Sequence, residues 1–389
     1  MRLLGIPLRV AGASYGNLNY LVNLALCLKV HGTRWQPVVL TAPALLPPAS
    51  RALLEQSGTA IVDMPWFAER PTGARFVRSL FRGEPAIRAA SEHAKLDCIF
   101  ENAAFYGKKC AIPALHWIPD LQHRELPGMF PITARLRREL LIRCVVASGR
   151  SILLSSRDAR DAMVRHYAIA ENRLHVARFA SMLIGSEPVA GQAEPLNLPG
   201  VTAPFAFVPN QFWRHKNHVI LPRAARLMAE RGIPIQFVCT GEQSDPRSRD
   251  HYAAFNRLLD DNAVRDRFIV PGLVPYATVR SLHAHCAMLI NPSFVEGWNT
   301  GVEEAKSLGN RLVLSNIGTH REQVENYPRA TLFDPTSPAE LADAICESLK
   351  AVPVTGEDRR AAAARYGIDI REFVAAVEIA LDQTMAQST

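Results

Sequence analysis

The chain has 389 residues, 48% of them hydrophobic, which is enough for two or three domains with full cores and excludes a disordered chain or a small disulfide-stapled scaffold. No uncharged apolar run approaches the roughly 20 residues of a bilayer span, and Arg9 interrupts the apolar opening, so neither a transmembrane helix nor a secretory signal is expected. The seven cysteines are scattered singly, without disulfide or zinc-ligand spacing. We therefore expect a cytoplasmic protein, soluble or peripheral at the inner face of the membrane.

Charge is divided unevenly along the chain. Residues 1–185 hold 24 Lys and Arg against 13 Asp and Glu, whereas the remainder holds 20 against 24, for a net charge of +7. A basic front half suggests an anionic partner such as a membrane surface or a phosphorylated substrate, although a solvated basic face explains it as well. No RNA-binding signature or zinc finger accompanies the charge, so no nucleic acid partner is expected.

Short apolar runs alternate with amphipathic stretches in two parts of the chain, a pattern typical of parallel strands joined by helices. Residues 1–185 form the first such part and residues 205–360 the second. Residues 186–204 lie between them, rich in Pro, Gly and Ala and without periodicity, which predicts a linker. An alanine-rich helix over 361–389 could pack back on the first domain. The fold class predicted is α/β, with two domains in tandem.

The most informative segment of the second domain follows a strand predicted at 287–291. Thr300 and Glu303 have capping-box spacing, which predicts a helix from Thr300 to Gly309. Because helix N-termini bind anions, the turn 297–301 is a candidate phosphate site, with Gly297 allowing close approach of the backbone.

Two carboxylates flank this turn. Glu296 precedes the helix and Glu304 lies one turn inside it. Carboxylates beside an anion site suit neutral hydroxyls, such as those of a sugar and a ribose, because they accept strong hydrogen bonds. Glu303 more simply favours the helix N-terminus through the macrodipole, and the same interpretation remains open for Glu304.

A second loop follows the first strand of the second domain. Arg214 and Lys216 are two residues apart, can face one way in an extended surface chain, and would give a diphosphate two cations. Exposed basic residues at a helix start are also ordinary, and Phe212 and Trp213 are more typical of packing than of stacking on a ligand.

Taken together, these features resemble the retaining glycosyltransferases of the GT-B fold, specifically family 4, the group 1 type. The resemblance rests on the Glu-x7-Glu spacing of Glu296 and Glu304, the Arg-His-Lys loop at 214–216, and the segments PGLVPYATVRSLHAHC and LFDPTSPAELADAI. It implies two Rossmann-like domains facing across a cleft. It also implies a nucleotide-diphosphate sugar donor, a glycan, lipid-linked or other hydroxyl acceptor, and a role in polysaccharide or glycoconjugate synthesis. No cofactor is implied, since the nucleotide sugar is a substrate, and the sequence lacks an Asp-x-Asp metal motif.

The resemblance assigns roles to individual positions. Arg214 and Lys216 match the diphosphate clamp, Glu296 the acidic residue near the donor sugar, and Glu304 the residue that holds the ribose hydroxyls. The further donor-binding positions are Gly297, Trp298, Asn299 and Thr300 for the sugar and β-phosphate, and Gly272, Leu273 and Val274 for the base. Trp298 departs from the small residue common at its position.

Two loops of the first domain match the family less specifically. Gly12 and Gly16 lie where such proteins approach the donor phosphates or the acceptor, but a lone G-x3-G loop is not a dinucleotide fingerprint. A later loop carries Asp120 and two flanking histidines. Asp120 is the first candidate for orienting acceptor or donor sugar, and His116 is the second. For His116 and His123 a structural role is equally open.

Two rival functions and one surface complete the expectations. A nucleotide-sugar epimerase of the same fold, or a noncatalytic nucleotide-sugar-binding partner, would share the donor site. In the first domain Arg75, Arg78 and Arg82 share one face of a predicted helix that could lie on an anionic membrane surface, at about 1 kcal/mol per cation. A helix with its apolar side in the core fits the same pattern.

Overall fold

The computed structural model describes residues 1–8, 15–68, 73–102, 104–182, 196, 198–245, 248 and 250–387, without the side chains of residues 15, 66, 68 and 73–77. Gly12 and the Arg75 side chain therefore lie outside the described residues. The chain divides into two compact units. The first unit comprises Met1–Leu121, Thr133–Leu183 and Asp369–Thr389, and the second comprises Gln122–Ile132 and Ile184–Ile368.

The first unit is built on a seven-stranded parallel sheet of order β3-β2-β1-β4-β5-β6-β7. Its strands are β1 (Arg2–Leu8), β2 (Trp35–Thr41), β3 (Ala60–Asp63), β4 (Cys98–Asn102), β5 (Ala114–Ile118), β6 (Ile152–Leu154) and β7 (Leu174–Val176). The helices of this part of the chain are α1 (Tyr15–His31), α2 (Pro48–Gln56), α3 (Gly73–Arg82), α4 (Pro85–Ala94), α5 (Gln122–Glu125), α6 (Ile132–Ala147) and α7 (Arg157–His166), of which α5 groups with the second unit.

The second unit has a six-stranded parallel sheet of order β10-β9-β8-β11-β12-β13. Its strands are β8 (Phe205–Pro209), β9 (Gln236–Thr240), β10 (Phe268–Gly272), β11 (Met288–Asn291), β12 (Leu312–Ser315) and β13 (Ala330–Phe333). The helices that follow are α8 (Ile220–Glu230), α9 (His251–Asp261), α10 (Tyr276–His285), α11 (Thr300–Ser307), α12 (Gly318–Gln323), α13 (Pro338–Lys350) and α14 (Gly356–Ala386). The α/β class with two parallel, Rossmann-like sheets is confirmed.

The end of α14 belongs to the first unit and has a defined polar anchor there. The carboxylate of Glu378 accepts hydrogen bonds from the backbone amides of Thr33, Arg34 and Trp35 at 2.9, 2.7 and 3.1 Å, where the chain enters β2. Since an unpaired buried amide is costly, this glutamate stabilises the turn between α1 and β2. Among the described residues, no helix combines the length and apolarity needed to cross a bilayer.

Strand order locates the part of the second unit where a ligand should bind. The chain runs from β8 outward through β9 to β10 and then returns to place β11 on the other side of β8. In open parallel sheets, ligands bind outside the carboxyl ends of the strands at such a switch point. The loops after β8 and β11 therefore carry the candidate site.

Candidate functional site

Backbone and amide contacts join the loops after β8 and β11. The amide of Phe294 donates to the carbonyl of His215 at 2.8 Å. Asn217 adopts a left-handed conformation with φ of 56°, and its Nδ2 donates to the carbonyls of Pro292 and Pro335 at 3.0 and 2.8 Å. Asparagine tolerates this conformation better than most residues, and here its side chain fixes three loops together.

A buried ion pair lies at this junction. Lys216 Nζ donates to both carboxylate oxygens of Glu296, at 2.7 and 2.9 Å. Glu296 Oε1 also accepts from Ser293 Oγ at 2.6 Å and from Asn299 Nδ2 at 3.1 Å. Thr319 Oγ1 donates to the Glu296 carbonyl at 2.7 Å, so that the loop after β12 holds the same residue. The carboxylate is thus fixed in one orientation by partners from two strand ends, and the backbone of Glu296 is held from a third.

The environment keeps Glu296 ionised. Burial alone would raise its pKa, but the charge of Lys216 and its hydrogen bond to the carboxylate outweigh burial and lower the pKa to about 2. Lys216 is itself only 13% exposed, so its predicted place in an exposed surface loop is wrong. Its ammonium group and the carboxylate form a prearranged charge pair.

His320 backs this pair as a neutral imidazole. Burial lowers its pKa to about 4, although the Glu296 charge acts in the opposite direction. Its Nδ1 lies 2.9 Å from the carbonyl of Ser315, which identifies Nδ1 as the protonated nitrogen. The residue therefore adds no positive charge at neutral pH.

The helix N-terminus predicted beside Glu296 is present, with a different cap. Asn299 is the N-cap and its Oδ1 accepts from the Val302 amide at 3.1 Å, so the predicted capping box led by Thr300 is wrong. Asn299 therefore caps the helix N-terminus in place of the predicted box. A Cβ on Gly301 would lie 3.2 Å from Pro209 Cγ, so glycine lets α11 start close to β8. Glu303, the other member of the predicted capping box, accepts from Gln323 Nε2 at 2.9 Å and pairs with Lys306.

The second carboxylate of the pattern, Glu304, also has defined partners. Tyr276 Oη donates to Glu304 Oε1 at 3.1 Å, and His283 Nε2 lies 3.5 Å from Oε2, long for a hydrogen bond. Burial, reinforced by the charge of Glu304, raises the pKa of Tyr276, so its hydroxyl stays protonated and donates. A carboxylate offers about four acceptor positions, which leaves positions open for further donors.

Exposed apolar side chains lie in the segment that carries Tyr276, the partner of Glu304. Gly272 ends β10 with φ of 79°, and the following Leu273 is 50% exposed, while Tyr276 is 38% exposed. Exposed large apolar side chains beside a buried carboxylate suit a ligand that has both a planar apolar part and hydroxyl groups.

Arg214 and Lys216 are not arranged as the sequence predicted. Residues 214–216 form a 3₁₀ turn rather than an extended chain. Lys216 meets Glu296, whereas the exposed Arg214 side chain lines a cavity beside α8, and its backbone amide donates to Asp245 Oδ2 at 2.9 Å.

Two of the candidates predicted in residues 1–185, His116 and Asp120, pair with other side chains. His116 lies inside β5 rather than in the loop after it, is almost fully buried, and has Nδ1 3.0 Å from Glu101 Oε2. Asp120 accepts from Arg138 Nη1 at 3.0 Å. His123, in α5, is buried within the second unit. Gly16 is exposed, and a Cβ there would meet no atom within 4 Å, so packing does not require glycine at this position.

Sequence reasoning missed four residues of the site: Ser293, Thr319, His320 and Tyr276. All lie just after strands β10, β11 and β12, so the rule that ligands bind beyond strand ends was a usable signal. The contacts of Ser293, Thr319 and Tyr276 to the two glutamates required the structure.

Residues 197–367 match the family described as glycosyl transferases group 1. A search of curated proteins finds no significant match. The fold of the chain, the two-sheet GT-B arrangement, is shared over nearly its whole length with solved structures. They include HepE from Anabaena in complex with UDP and glucose, at TM-score 0.71 and 15% identity, covering 98% of this chain and 100% of that one.

Two further solved structures have the same fold. Sucrose-phosphate synthase from Thermosynechococcus elongatus aligns at TM-score 0.64 and 18% identity, covering 98% of this chain and 97% of its own. WaaG, a glycosyltransferase involved in lipopolysaccharide biosynthesis, aligns at TM-score 0.62 and 13% identity, covering 96% and 95%.

Proposed function

We propose that this protein is a glycosyltransferase of the group 1 type, which moves a sugar from a nucleotide-diphosphate sugar to a hydroxyl of a glycan or lipid-linked acceptor, with retention of configuration and without a metal. The observation that carries the proposal is the Lys216–Glu296 pair beside the N-terminus of α11, at the switch point of the second unit. A fixed cation, a fixed carboxylate and open helix amides are what a diphosphate joined to a sugar needs.

In the proposed reaction, negative charge grows on the leaving nucleoside diphosphate. Lys216 and the first amides of α11 stabilise that charge, and no reorganisation is needed because Glu296 already holds the ammonium group. Glu296 keeps acceptor capacity for a hydroxyl of the donor sugar. Glu304, positioned by Tyr276, accepts the ribose hydroxyls.

UDP is the first nucleotide to test. HepE, which has the same fold, was solved with UDP and glucose. In this chain the exposed Leu273 and Tyr276 offer an apolar surface for a base near the carboxylate that would hold the ribose.

For the acceptor we propose a substrate presented at an anionic membrane surface. Helix α6 exposes Leu136 and Leu140, one turn apart, at 61% and 59%, and Arg137 and Arg143 are exposed on the same helix. Exposed apolar residues flanked by arginines are typical of helices that lie in a membrane interface. The predicted helix α3 adds Phe81 and Arg82, both exposed, along with Arg78.

A thermal-shift screen over UDP-, GDP- and dTDP-sugars tests the proposal, because a ligand of the folded state stabilises it by mass action. One nucleotide sugar should raise the melting temperature in proportion to the logarithm of its concentration. Release of free sugar without an epimer, in the absence of acceptor, would separate a transferase from an epimerase. No shift with any nucleotide sugar would refute the proposal.

A further inference from the structure

Beyond the proposed function, we infer that the second unit carries a separate site for an organic phosphate. A cavity of about 500 Å³ lies between the start of α8, the start of α9 and the turn before α13. Lys216, Glu296 and Glu304 are not among the residues that line it. Those that do are Met129, Arg214, Asn217, Val219, Ile220, Arg223, His251, Phe294, Pro335, Thr336 and Pro338.

Two cations converge on this cavity. Arg214 and Arg223 are both exposed, and within the described part of the chain neither guanidinium forms an ion pair. Arg214 belongs to the turn before α8 and Arg223 to the first turn of that helix, so the positive end of the helix dipole reinforces them. Asp245 is the acidic side chain close by, and one carboxylate against two guanidinium groups leaves the site positive.

His251 supplies an independent observation. The residue is 7% exposed and lines the cavity, and its Nε2 is buried with no hydrogen-bond partner among the described residues. Burial lowers its pKa, and the charge of Arg214 acts in the same direction although Asp245 opposes it, so the ring is neutral at pH 7. A buried polar nitrogen without a partner is uncommon in native proteins, and an anion oxygen in the cavity would satisfy it.

The remaining wall is apolar and defines the ligand further. Val219, Ile220, Phe294, Pro335 and Pro338 face the same space. Two guanidinium forks match the oxygens of a phosphate group, and the apolar wall suits an organic substituent on that phosphate. A phosphate monoester of a small organic molecule fits both parts, whether it is an acceptor substrate or a regulator.

Titration calorimetry of the full chain with phenyl phosphate tests this site, in the absence and presence of saturating UDP. We expect binding in both conditions, and we expect Arg223→Gln to weaken it at least tenfold while UDP affinity stays unchanged. Arg226→Gln is the matched control, because Arg226 lies in the same helix but pairs with Glu230 and does not line the cavity. It should bind like the wild type.

Three results would overturn the inference: no binding of phenyl phosphate to the wild type, equal affinity in Arg223→Gln, or mutual displacement by UDP, which would make the cavity part of the donor site. If phenyl phosphate binds and none of the UDP-, GDP- and dTDP-sugars does, the proposed function fails and this site stands. Incubation of a nucleotide sugar with glycerol 3-phosphate, which has free hydroxyls, separates the two sources. A glycosylated product indicates an acceptor, and a changed rate of donor hydrolysis without such a product indicates a regulator.

Discussion

Glu101 in the first unit and Glu296 in the second are both buried against a cation, yet the two clusters differ in where they lie on the sheet. Glu101, inside β4, accepts from Arg150 Nη1 at 2.9 Å and from the Tyr106 amide at 2.8 Å, beside His116. Glu296 lies beyond the end of β11, against Lys216 and next to the start of α11. The first cluster lies within the sheet, whereas the second lies beyond the carboxyl end of β11, at the switch point of the second sheet.

The difference shows that a buried charge pair alone does not identify a site. Both clusters give a buried carboxylate a cation and hydrogen-bond donors, which any folded protein needs. Of the two, the second places its pair beside a helix N-terminus and a second carboxylate, Glu304. We therefore assign stability to the Glu101 cluster and donor chemistry to the Glu296 cluster, and the predictions below test that division.

The largest effect is expected at Lys216. Lys216→Ala should reduce turnover of the donor by about 10² to 10³, as with loss of other prearranged charge-stabilising groups. It should also cost about 3 kcal/mol of stability, because it leaves Glu296 buried and unpaired. Initial rates and urea unfolding measure the two effects. Lys216→Arg is the control, because it keeps the charge and the fold. A normal rate and normal stability in Lys216→Ala would show that Lys216 does not belong to the site.

The matching change in the first unit is Arg150→Ala. It leaves Glu101 buried beside His116 and should cost about 3 to 5 kcal/mol of unfolding free energy. The folded fraction should bind UDP with wild-type affinity, which distinguishes this cluster from the other. Weaker UDP binding by folded Arg150→Ala, measured by calorimetry, would mean that the Glu101 cluster also serves the ligand.

Stability of the second unit should fall in mild acid. The pKa of His320 is about 4 in the folded protein and near 6.5 unfolded, so the unfolded state binds the proton more readily. Stability is therefore full above pH 6.5 and declines as the pH falls toward 4, by on the order of 3 kcal/mol. The lowered pKa values of His218 and His251 act in the same direction.

Urea unfolding at several pH values measures this decline. His320→Asn keeps a donor for the Ser315 carbonyl but cannot titrate, so its curve should be flatter between pH 6.5 and 4. Identical pH profiles for the variant and the wild type would show that His320 does not contribute.

The smallest effect is expected at Tyr276. Tyr276→Phe removes the hydroxyl that positions Glu304 and should weaken nucleotide binding about threefold to tenfold, in line with one hydrogen bond. Tyr167→Phe is the control, since that hydroxyl donates to Glu139 in the first unit at 2.9 Å. Calorimetry should find UDP affinity lowered only in the Tyr276 variant. Equal UDP affinity of the two variants would mean that Glu304 keeps its orientation without the Tyr276 hydroxyl.

The place of the Glu296 cluster could be predicted from the sequence, because the sequence pattern shows where strands end and loops begin. Apolar runs followed by polar loops located Glu296, Glu304 and Lys216, and the α/β alternation gave both sheets. His116 was misplaced into a loop because the apolar run that contains it does not show where β5 ends. The turn at 214–216 was missed because it depends on the left-handed Asn217 and its contacts to distant carbonyls.

Other features depend on contacts between segments far apart in the chain. Tyr276 meets Glu304 across 28 residues, and Thr319 meets Glu296 across 23, which no local pattern encodes. The helix cap was predicted one residue late because Thr300 and Asn299 are both good caps, and only the geometry selects Asn299.

Calorimetry of UDP binding to the wild type and to Glu304→Gln tests the central claim most directly. A neutral amide accepts ribose hydroxyls more weakly than a carboxylate, so the variant should bind UDP at least tenfold more weakly, whereas the wild type and His116→Gln should bind alike. Equal UDP affinity of the wild type and Glu304→Gln would mean that Glu304 only favours the N-terminus of its helix. A folded wild-type protein that binds neither UDP nor another nucleoside diphosphate would contradict the account.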